Sequence, residues 1–194
     1  MYEVLRTYLN KITGVTVSDE EFQFIKKAFS IKKLKKRQFL LHEGSVCRYM
    51  AFIVKGAMRQ FTIDDRGTEH IARFGIEEWW MSDRESFVSH TPSRYNIEAL
   101  EDCDLLVATS EEMINLKDQS PLFVKLGVTL DEKSYIASQK RIDVTISYTA
   151  EEKVIYLMEN HPQFLHRFPQ NMLASYLGIT PETLSRVRKQ LLHK

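Results

Sequence analysis

The sequence predicts an α+β protein with an N-terminal antiparallel β-barrel or jelly roll, then a long helix, then a C-terminal helix–turn–helix. Three observations predict this class. Short β-type segments separated by polar or glycine turns occupy residues 38–109. An imperfect helical stripe of apolar residues with little turn chemistry follows, from about Ser120 to Ile142. The end of the chain has the residue spacing of two short helices joined by a tight turn.

Two short helices are predicted before the barrel, over residues 2–13 and 18–29. Ser18, followed three residues later by Glu21, is a candidate capping box for the second helix. The basic run at residues 32–37 is interpreted as a solvated edge before the first strand, with nucleic-acid contact as the alternative.

The barrel is predicted to lie within a first domain at residues 1–118. Its strands are predicted at six places: Gln38 to His42, Met50 to Val54, Ala57 to Ile63, His70 to Phe74, Asn96 to Leu100 and Asp104 to Thr109. Glycines fall at or near the connecting turns, where a positive φ is useful: Gly44, Gly56, Gly67 and Gly75.

A long helix is predicted as a linking element at residues 119–147. Its apolar stripe comprises Leu122, Phe123, Leu126, Leu130, Ile136 and Ala137. A helix this long must bury the stripe on its own barrel, on a second copy of the chain, or on both. We favour both, so residues 120–142 are predicted to join a homodimer that Leu126→Glu and Leu130→Glu would dissociate.

The third predicted domain, residues 148–194, starts with a helix that a Thr149–Glu152 capping box begins. Gln163 to Arg167 is interpreted as a short strand. Ala174 and Gly178 then have the spacing of a helix–turn–helix, because a small residue permits a close crossing and glycine can end a helix in the left-handed region.

The last helix is predicted to begin after Thr180, a good N-cap, with Pro181 at its first position. Leu184, Val187 and Leu191 would be buried, which leaves the polar side chains on the other faces. An ordinary helical hairpin that closes a small domain is the alternative to a DNA-binding motif.

Charge and composition limit the possible functions. The chain has 43% apolar residues, 27% charged residues and a net charge of only +1. Residues 162–194, however, contain five basic residues and one acidic residue, which agrees with a basic surface for DNA at this end. With two cysteines, Cys47 and Cys103, and no signal-peptide or membrane-spanning pattern, we expect a cytoplasmic protein without membrane contact.

The order of barrel, long helix and helix–turn–helix resembles the Crp/Fnr superfamily of bacterial transcription regulators over nearly the whole chain. The most specific matches are the turns Glu43-Gly44 and Lys55-Gly56 and the segment from Thr180 to Arg186. The resemblance implies a cyclic-nucleotide-binding-like sensor domain. It also implies a dimeric regulator that binds double-stranded DNA, with RNA polymerase as a further candidate partner.

In that family a glutamate near the start of the recognition helix and an arginine four residues later read bases, and Glu182 and Arg186 match them. A carboxylate can accept from cytosine N4, and arginine can bind guanine O6 and N7. Thr183 and Ser185 complete the candidate base-reading set. The candidate backbone contacts are Thr180, Arg188 and Lys189. A further family arginine is replaced by Pro181, and the β-wing that many members carry is expected to be absent or vestigial.

The resemblance also identifies candidate ligand-pocket residues, namely Glu78, Trp79, Trp80, Arg94 and Tyr95. Glu78 and Arg94 match the family's acid and arginine. Glu77 replaces a glycine and Tyr95 a small hydroxyl residue, and an extra carboxylate repels phosphate. Because the two tryptophans could also fill the cavity, we expect a different small effector, or none, rather than cyclic AMP.

Other chemistries fit less well. Two cysteines are too few for an iron–sulfur sensor, and no close His/Cys set suggests a metal site. A haem could use His42, His70 or His90, but lone histidines are more often surface or core residues. The sequence contains neither a phosphate loop nor a Gly-x-Ser-x-Gly motif, so neither pattern is present to indicate an enzyme. A ligand-binding module whose terminal helices bind protein remains the alternative function.

Overall fold

The computed structural model describes residues 1–191. Two helices come first, α1 (Tyr2–Thr13) and α2 (Asp19–Lys27). Ser18 caps α2 by accepting the Glu21 N–H, as its sequence pattern predicts. The strands within these residues are β1 (Ser30–Leu34), β2 (Phe39–Leu41), β3 (Met50–Lys55), β4 (Met58–Ile63), β5 (Glu69–Gly75), β6 (Trp80–Met81), β7 (Asn96–Ala99) and β8 (Cys103–Ala108).

The strands form two four-stranded antiparallel sheets, in the orders β1-β8-β3-β6 and β2-β7-β4-β5. This is the predicted jelly roll, and the predicted fold class is therefore confirmed. Apolar side chains from both sheets fill the space between them: Leu34, Leu41, Ala51, Ile53, Met58, Met81, Ile97, Ala99, Leu105 and Val107. The interior is therefore a packed core.

Helices α1 and α2 cover the outer face of the β1-β8-β3-β6 sheet. Leu5, Leu9 and Ile25 of these helices pack with Phe52 and Leu106, whose side chains point away from the barrel interior. Burying this outer face explains why the barrel needs the two N-terminal helices.

The remaining helices are α3 (Arg84–Ser89), between β6 and β7, then α4 (Ser110–Gln119), α5 (Pro121–Ser147), α6 (Ala150–Asn160), α7 (Phe164–Arg167), α8 (Gln170–Leu177) and α9 (Pro181–Leu191). Thr149 and Glu152 form the predicted capping box at the start of α6. Among residues 1–191, no helix combines the length and the apolar character needed to cross a bilayer.

Four predictions for individual segments were wrong or incomplete. The strand predicted at Gln163 to Arg167 is helix α7, whose first N–H groups donate to the His161 and Pro162 carbonyls and which buries Phe164 against Phe168 and Tyr176. Strand β1 lies within and before the basic run, and β6 was not predicted. Gly75 does not have positive φ; a Cβ there would meet the Met81 and Ile53 side chains.

The chain divides into two compact units. One comprises residues 1–62 and 72–131, and the other comprises the β4–β5 turn region, Ile63–Ile71, with the chain from Glu132 onward. Helix α5 thus contributes to both. The predicted domain ranges 1–118, 119–147 and 148–194 stay a prediction.

Candidate nucleic-acid interface

The helix–turn–helix is built from α8, a three-residue turn and α9. Gly178 ends α8 with φ of 65°, a left-handed conformation that glycine adopts with little strain. The Ile179 N–H then donates to the Ala174 carbonyl at 3.0 Å. The glycine predicted to end the first helix of the motif therefore does so, and a backbone hydrogen bond to Ala174 closes the turn.

A small apolar core holds the two helices together. Its members are Leu173, Ala174, Leu177, Leu184 and Val187, all buried. Ala174 is fully buried, as expected for a small residue where two helices cross closely. Leu191, predicted to be buried with this set, is half-buried at the end of α9.

The first turn of α9 is closed by Thr180, whose Oγ1 accepts the Thr183 N–H at 3.2 Å and lies 3.1 Å from the Thr183 hydroxyl. The Glu182 carboxylate accepts from its own backbone N–H and from Thr180, and these hydrogen bonds lower its pKa. Glu182 therefore stays ionised at neutral pH and can accept a hydrogen bond from a base.

A single exposed stripe runs along α9. Glu182, Ser185, Arg186 and Lys189 are exposed and stand at positions i, i+3, i+4 and i+7. Thr183 and Arg188 are half-buried beside the stripe, and Thr180 is exposed at its start. The structure thus brings three of the four predicted base-reading residues, Glu182, Ser185 and Arg186, to one exposed helix face, with Lys189 one turn beyond Arg186 and Thr183 beside that face. Any wing would follow α9, where residues 192–194 lie outside the described residues, so its absence stays a prediction.

The candidate ligand-pocket residues have different surroundings. Glu78 has φ of 64° and its carboxylate pairs with Lys11 of α1 at 3.1 Å. Trp80 packs in an aromatic cluster with Tyr8, Phe29 and Phe52, and its indole N–H donates to the Tyr8 hydroxyl at 3.2 Å. Trp80 is therefore part of the core between the helices and the sheet.

Arg94 and Tyr95 interact with each other. The Arg94 guanidinium lies 4.9 Å from the centre of the Tyr95 ring and donates to its hydroxyl at 2.8 Å, and Arg94 is exposed. This hydrogen bond is the main cause of a raised Arg94 pKa, to which the nearby acids Glu85 and Asp83 add. Trp79 is half-buried, and Glu77, predicted to disturb a phosphate site, accepts the Gly56 N–H at 2.8 Å.

The apolar stripe of α5 is buried near the start of the helix and exposed farther along it. Leu122, Phe123 and Leu126 are buried in the core with α1 and α2, and Leu130 packs partly against it. Val128 and positions after Leu130 expose large apolar side chains instead, the later ones being Tyr135, Ile136, Ile142 and Ile146. Ile142 and Ile146 line an open groove of about 440 Å³ with Ser138, Arg141 and Thr145. Leu126 and Leu130 are therefore the wrong residues to change in a test of self-association, because glutamate there would disrupt the chain's own core.

The fold defines the class: a helix–turn–helix protein with a jelly-roll domain. Comparison with known proteins agrees. Residues 31–120 match the cyclic nucleotide-binding domain family. The transcriptional activator protein Anr of Pseudomonas aeruginosa is 24% identical over 169 residues, covering 80% of this chain and 68% of Anr.

Solved structures with the same fold include FixK2 of Bradyrhizobium japonicum, with a TM-score of 0.71, 20% identity and 85% of each chain covered. The c-di-GMP-responsive global regulator CLP of Xanthomonas campestris has a TM-score of 0.70 and 12% identity, with 91% of this chain and 92% of CLP covered. These matches agree with the resemblance to the Crp/Fnr superfamily of transcription regulators: residues 31–120 match the cyclic nucleotide-binding domain family, and the fold is that of these solved structures.

Proposed function

We propose that the protein is a homodimeric, sequence-specific DNA-binding transcription regulator that reads its operator with α9. The observation that carries the proposal is the exposed stripe of Glu182, Ser185, Arg186 and Lys189 on a capped and packed helix. The stripe combines a carboxylate acceptor, a hydroxyl and two cations. Such groups bind base edges in the major groove and phosphates on the DNA backbone. Such a protein would act in the cytoplasm, and RNA polymerase is a further proposed partner.

We propose that the dimer forms through the exposed apolar side chains of α5. Tyr135, Ile142 and Ile146 are 66%, 51% and 77% exposed, and large apolar side chains grouped on one surface mark an interaction site. Two copies of α5 packed in parallel would bury these side chains against each other and bring two α9 helices to one DNA duplex.

DNA binding would separate this proposal from the alternative in which the terminal helices bind protein. Fluorescence anisotropy with mixed-sequence duplex DNA should show an affinity that falls steeply with salt, because each neutralised phosphate releases a counterion. The logarithmic slope should be about 4 or more for a dimer with several cations at the DNA. Undetectable binding at low salt would favour the protein-binding alternative.

We further propose that cyclic AMP is not the effector. The match of Glu78 and Arg94 to the family's acid and arginine is offset by their contacts, since Glu78 pairs with Lys11 and Arg94 stacks on Tyr95 near two acids. Trp80 occupies core volume, and the space between the sheets is filled by apolar side chains. A different small effector, or none, fits these surroundings better.

Isothermal titration with cyclic AMP is therefore expected to give no saturable heat, with a dissociation constant weaker than about 1 mM, a binding free energy below about 4 kcal/mol. Tryptophan fluorescence should also stay unchanged, because a nucleotide that does not bind leaves the surroundings of Trp79 and Trp80 as they are. A micromolar dissociation constant would contradict the proposal and would show that the surroundings of Glu78 and Arg94 rearrange to accept a phosphate.

A further inference from the structure

A side-chain hydroxyl of the helix–turn–helix is hydrogen bonded to the free edge of β5. Strand β5 is the last strand of its sheet, so one edge of its backbone has no neighbouring strand within that sheet. The Ser175 hydroxyl of α8 accepts the Ile71 N–H at 3.0 Å and lies 3.1 Å from the Glu69 carbonyl, to which it donates. Ser175 therefore takes the place of a paired strand residue on this edge.

Arg141 of α5 joins the same contact from another direction. Its Nη2 lies 3.4 Å from the Ile71 carbonyl and 3.4 Å from the Tyr176 carbonyl of α8. The guanidinium also lies 4.1 Å from the centre of the Tyr176 ring, within the range of a cation–π interaction. Ser175 and Arg141 thus bind the N–H and the carbonyl of Ile71 and connect β5, α8 and α5. We call Ile71, Ser175 and Arg141 together the Ile71 latch.

Lys140 makes a second tie just before Arg141. Its ammonium donates to the Tyr148 hydroxyl at 2.8 Å and lies 5.0 and 5.9 Å from the centres of the Tyr148 and Tyr156 rings. Lys140 also pairs with Asp143 at 3.3 Å. The end of α5 is therefore held to the start of α6 independently of the Ile71 latch, so loss of the latch should leave the α5–α6 connection in place.

We propose that Ser175 and Arg141 are positioning residues that fix the direction of α8 and α9 relative to α5, and so set the half-site spacing that the dimer accepts. The inference rests on the proposed DNA-binding homodimer. In such a dimer the α5 pair fixes the two-fold axis, and each α9 must reach its half-site from there. Changing the spacing by one base pair rotates a half-site by about 35° and moves it by about 3.4 Å.

A dimer can discriminate against an operator whose spacing differs by one base pair only if the connection between α5 and α9 is stiff. The covalent connection from α5 to α6 is the two-residue segment Tyr148-Thr149, whose backbone can turn. The Ile71 latch adds hydrogen bonds and a stacked guanidinium at a second point, on α8, and two separated points of attachment resist rotation where one does not. Neither latch residue lies on the exposed stripe of α9, so base preference within a half-site should not depend on them.

The test compares five inverted-repeat duplexes whose central spacing differs by one base pair from one to the next. The parent should prefer one spacing over its neighbours by about tenfold or more, which is about 1.4 kcal/mol. Ser175→Ala and Arg141→Ala should reduce that ratio to about twofold, with the selected half-site sequence unchanged. Ser175→Thr, which keeps the hydroxyl, should retain the parent ratio. Arg66→Ala is the charge control, because it removes an exposed cation from the same β4–β5 turn region.

A second measurement does not depend on DNA. Hydrogen exchange at the Ile71 amide should be faster in Ser175→Ala than in the parent or in Ser175→Thr, because its acceptor is the Ser175 hydroxyl. If the parent protein binds no inverted repeat, the proposed function is wrong, and the proposed role of the Ile71 latch in half-site spacing is wrong as well. A parent that binds, with variants that keep its spacing ratio, overturns the latch alone, as would an Ile71 amide that exchanges equally in all three proteins.

Discussion

An Ile142→Glu, Ile146→Glu double variant is expected to be a monomer at concentrations where the parent is a dimer. Both side chains are more than half exposed on α5, one turn apart, and line the same groove. A dimer interface there would place four carboxylates in an apolar seam, where burying unpaired charge is strongly unfavourable. Light scattering measures the change in mass directly. Loss of the second half-site should also lower DNA affinity by about 100-fold or more, since linked sites gain that much by avidity.

The matched control is Ala137→Glu, which adds one carboxylate to the opposite side of the same helix at an exposed position. This variant should remain a dimer and bind DNA like the parent. Thermal unfolding should show that all three proteins are folded, because none of the changed residues is buried. A double variant that remains dimeric would place the dimer interface elsewhere, and a monomeric parent would remove the basis for a two-fold operator.

Arg186→Ala is expected to lower affinity for the preferred operator and to relax specificity at one base pair in each half-site. Arg186 is exposed in the second turn of α9, next to Glu182 on the exposed stripe. Loss of a bidentate arginine–guanine pair costs roughly 1–3 kcal/mol per contact, and a symmetric dimer makes two such contacts. Selection of binding sites from a random library measures the change position by position.

Lys189→Ala serves as the comparison, because Lys189 is exposed on the same stripe one turn farther along α9. As a phosphate contact it should weaken binding to all sequences alike and lower the salt slope by about one per cation removed. Its selected sequence should match that of the parent. An Arg186→Ala protein that selects the parent sequence at every position would show that Arg186 does not read a base, and that the proposed orientation of α9 is wrong.

Local chemistry made the helix boundaries predictable from the sequence. Ser18, Thr149 and Thr180 each cap the helix that the pattern assigns to them, and Gly178 ends α8 with positive φ. Each of these features depends on residues within a few positions of one another, so one sequence is enough to find them. Helix periodicity likewise separated the buried face of α9 from its exposed face, whereas the base-reading roles of Glu182 and Arg186 came from the resemblance to the Crp/Fnr family.

Features that depend on distant partners could not be predicted. Strand β1 buries only Leu34 among its five residues and is defined by its pairing with β8, more than 60 residues later. The position of Trp80 in the sequence matched the family's ligand pocket, but Trp80 packs against Tyr8 and Phe29 at the core. Ser175 and Ile71 are 104 residues apart, and neither residue type signals the contact.

The direction of the α5 stripe shows the same limit. Periodicity identified an apolar stripe but not which part of it the chain's own core would cover. Leu126 is 2% exposed in that core, whereas Ile146 is 77% exposed. A sequence pattern records that a side chain is apolar, and only the packing of α1 and α2 shows which positions are left for a partner.

The measurement that tests the central claim most directly is selection of genomic fragments by the purified full-length protein, followed by sequencing of the bound fragments. The proposed function predicts strong enrichment of one inverted repeat whose half-sites lie about one helical turn apart, 10–10.5 base pairs centre to centre, as expected for a two-fold symmetric helix–turn–helix dimer. Bound fragments with no common sequence, or no fragments retained at low salt, would contradict the claim that α9 reads DNA.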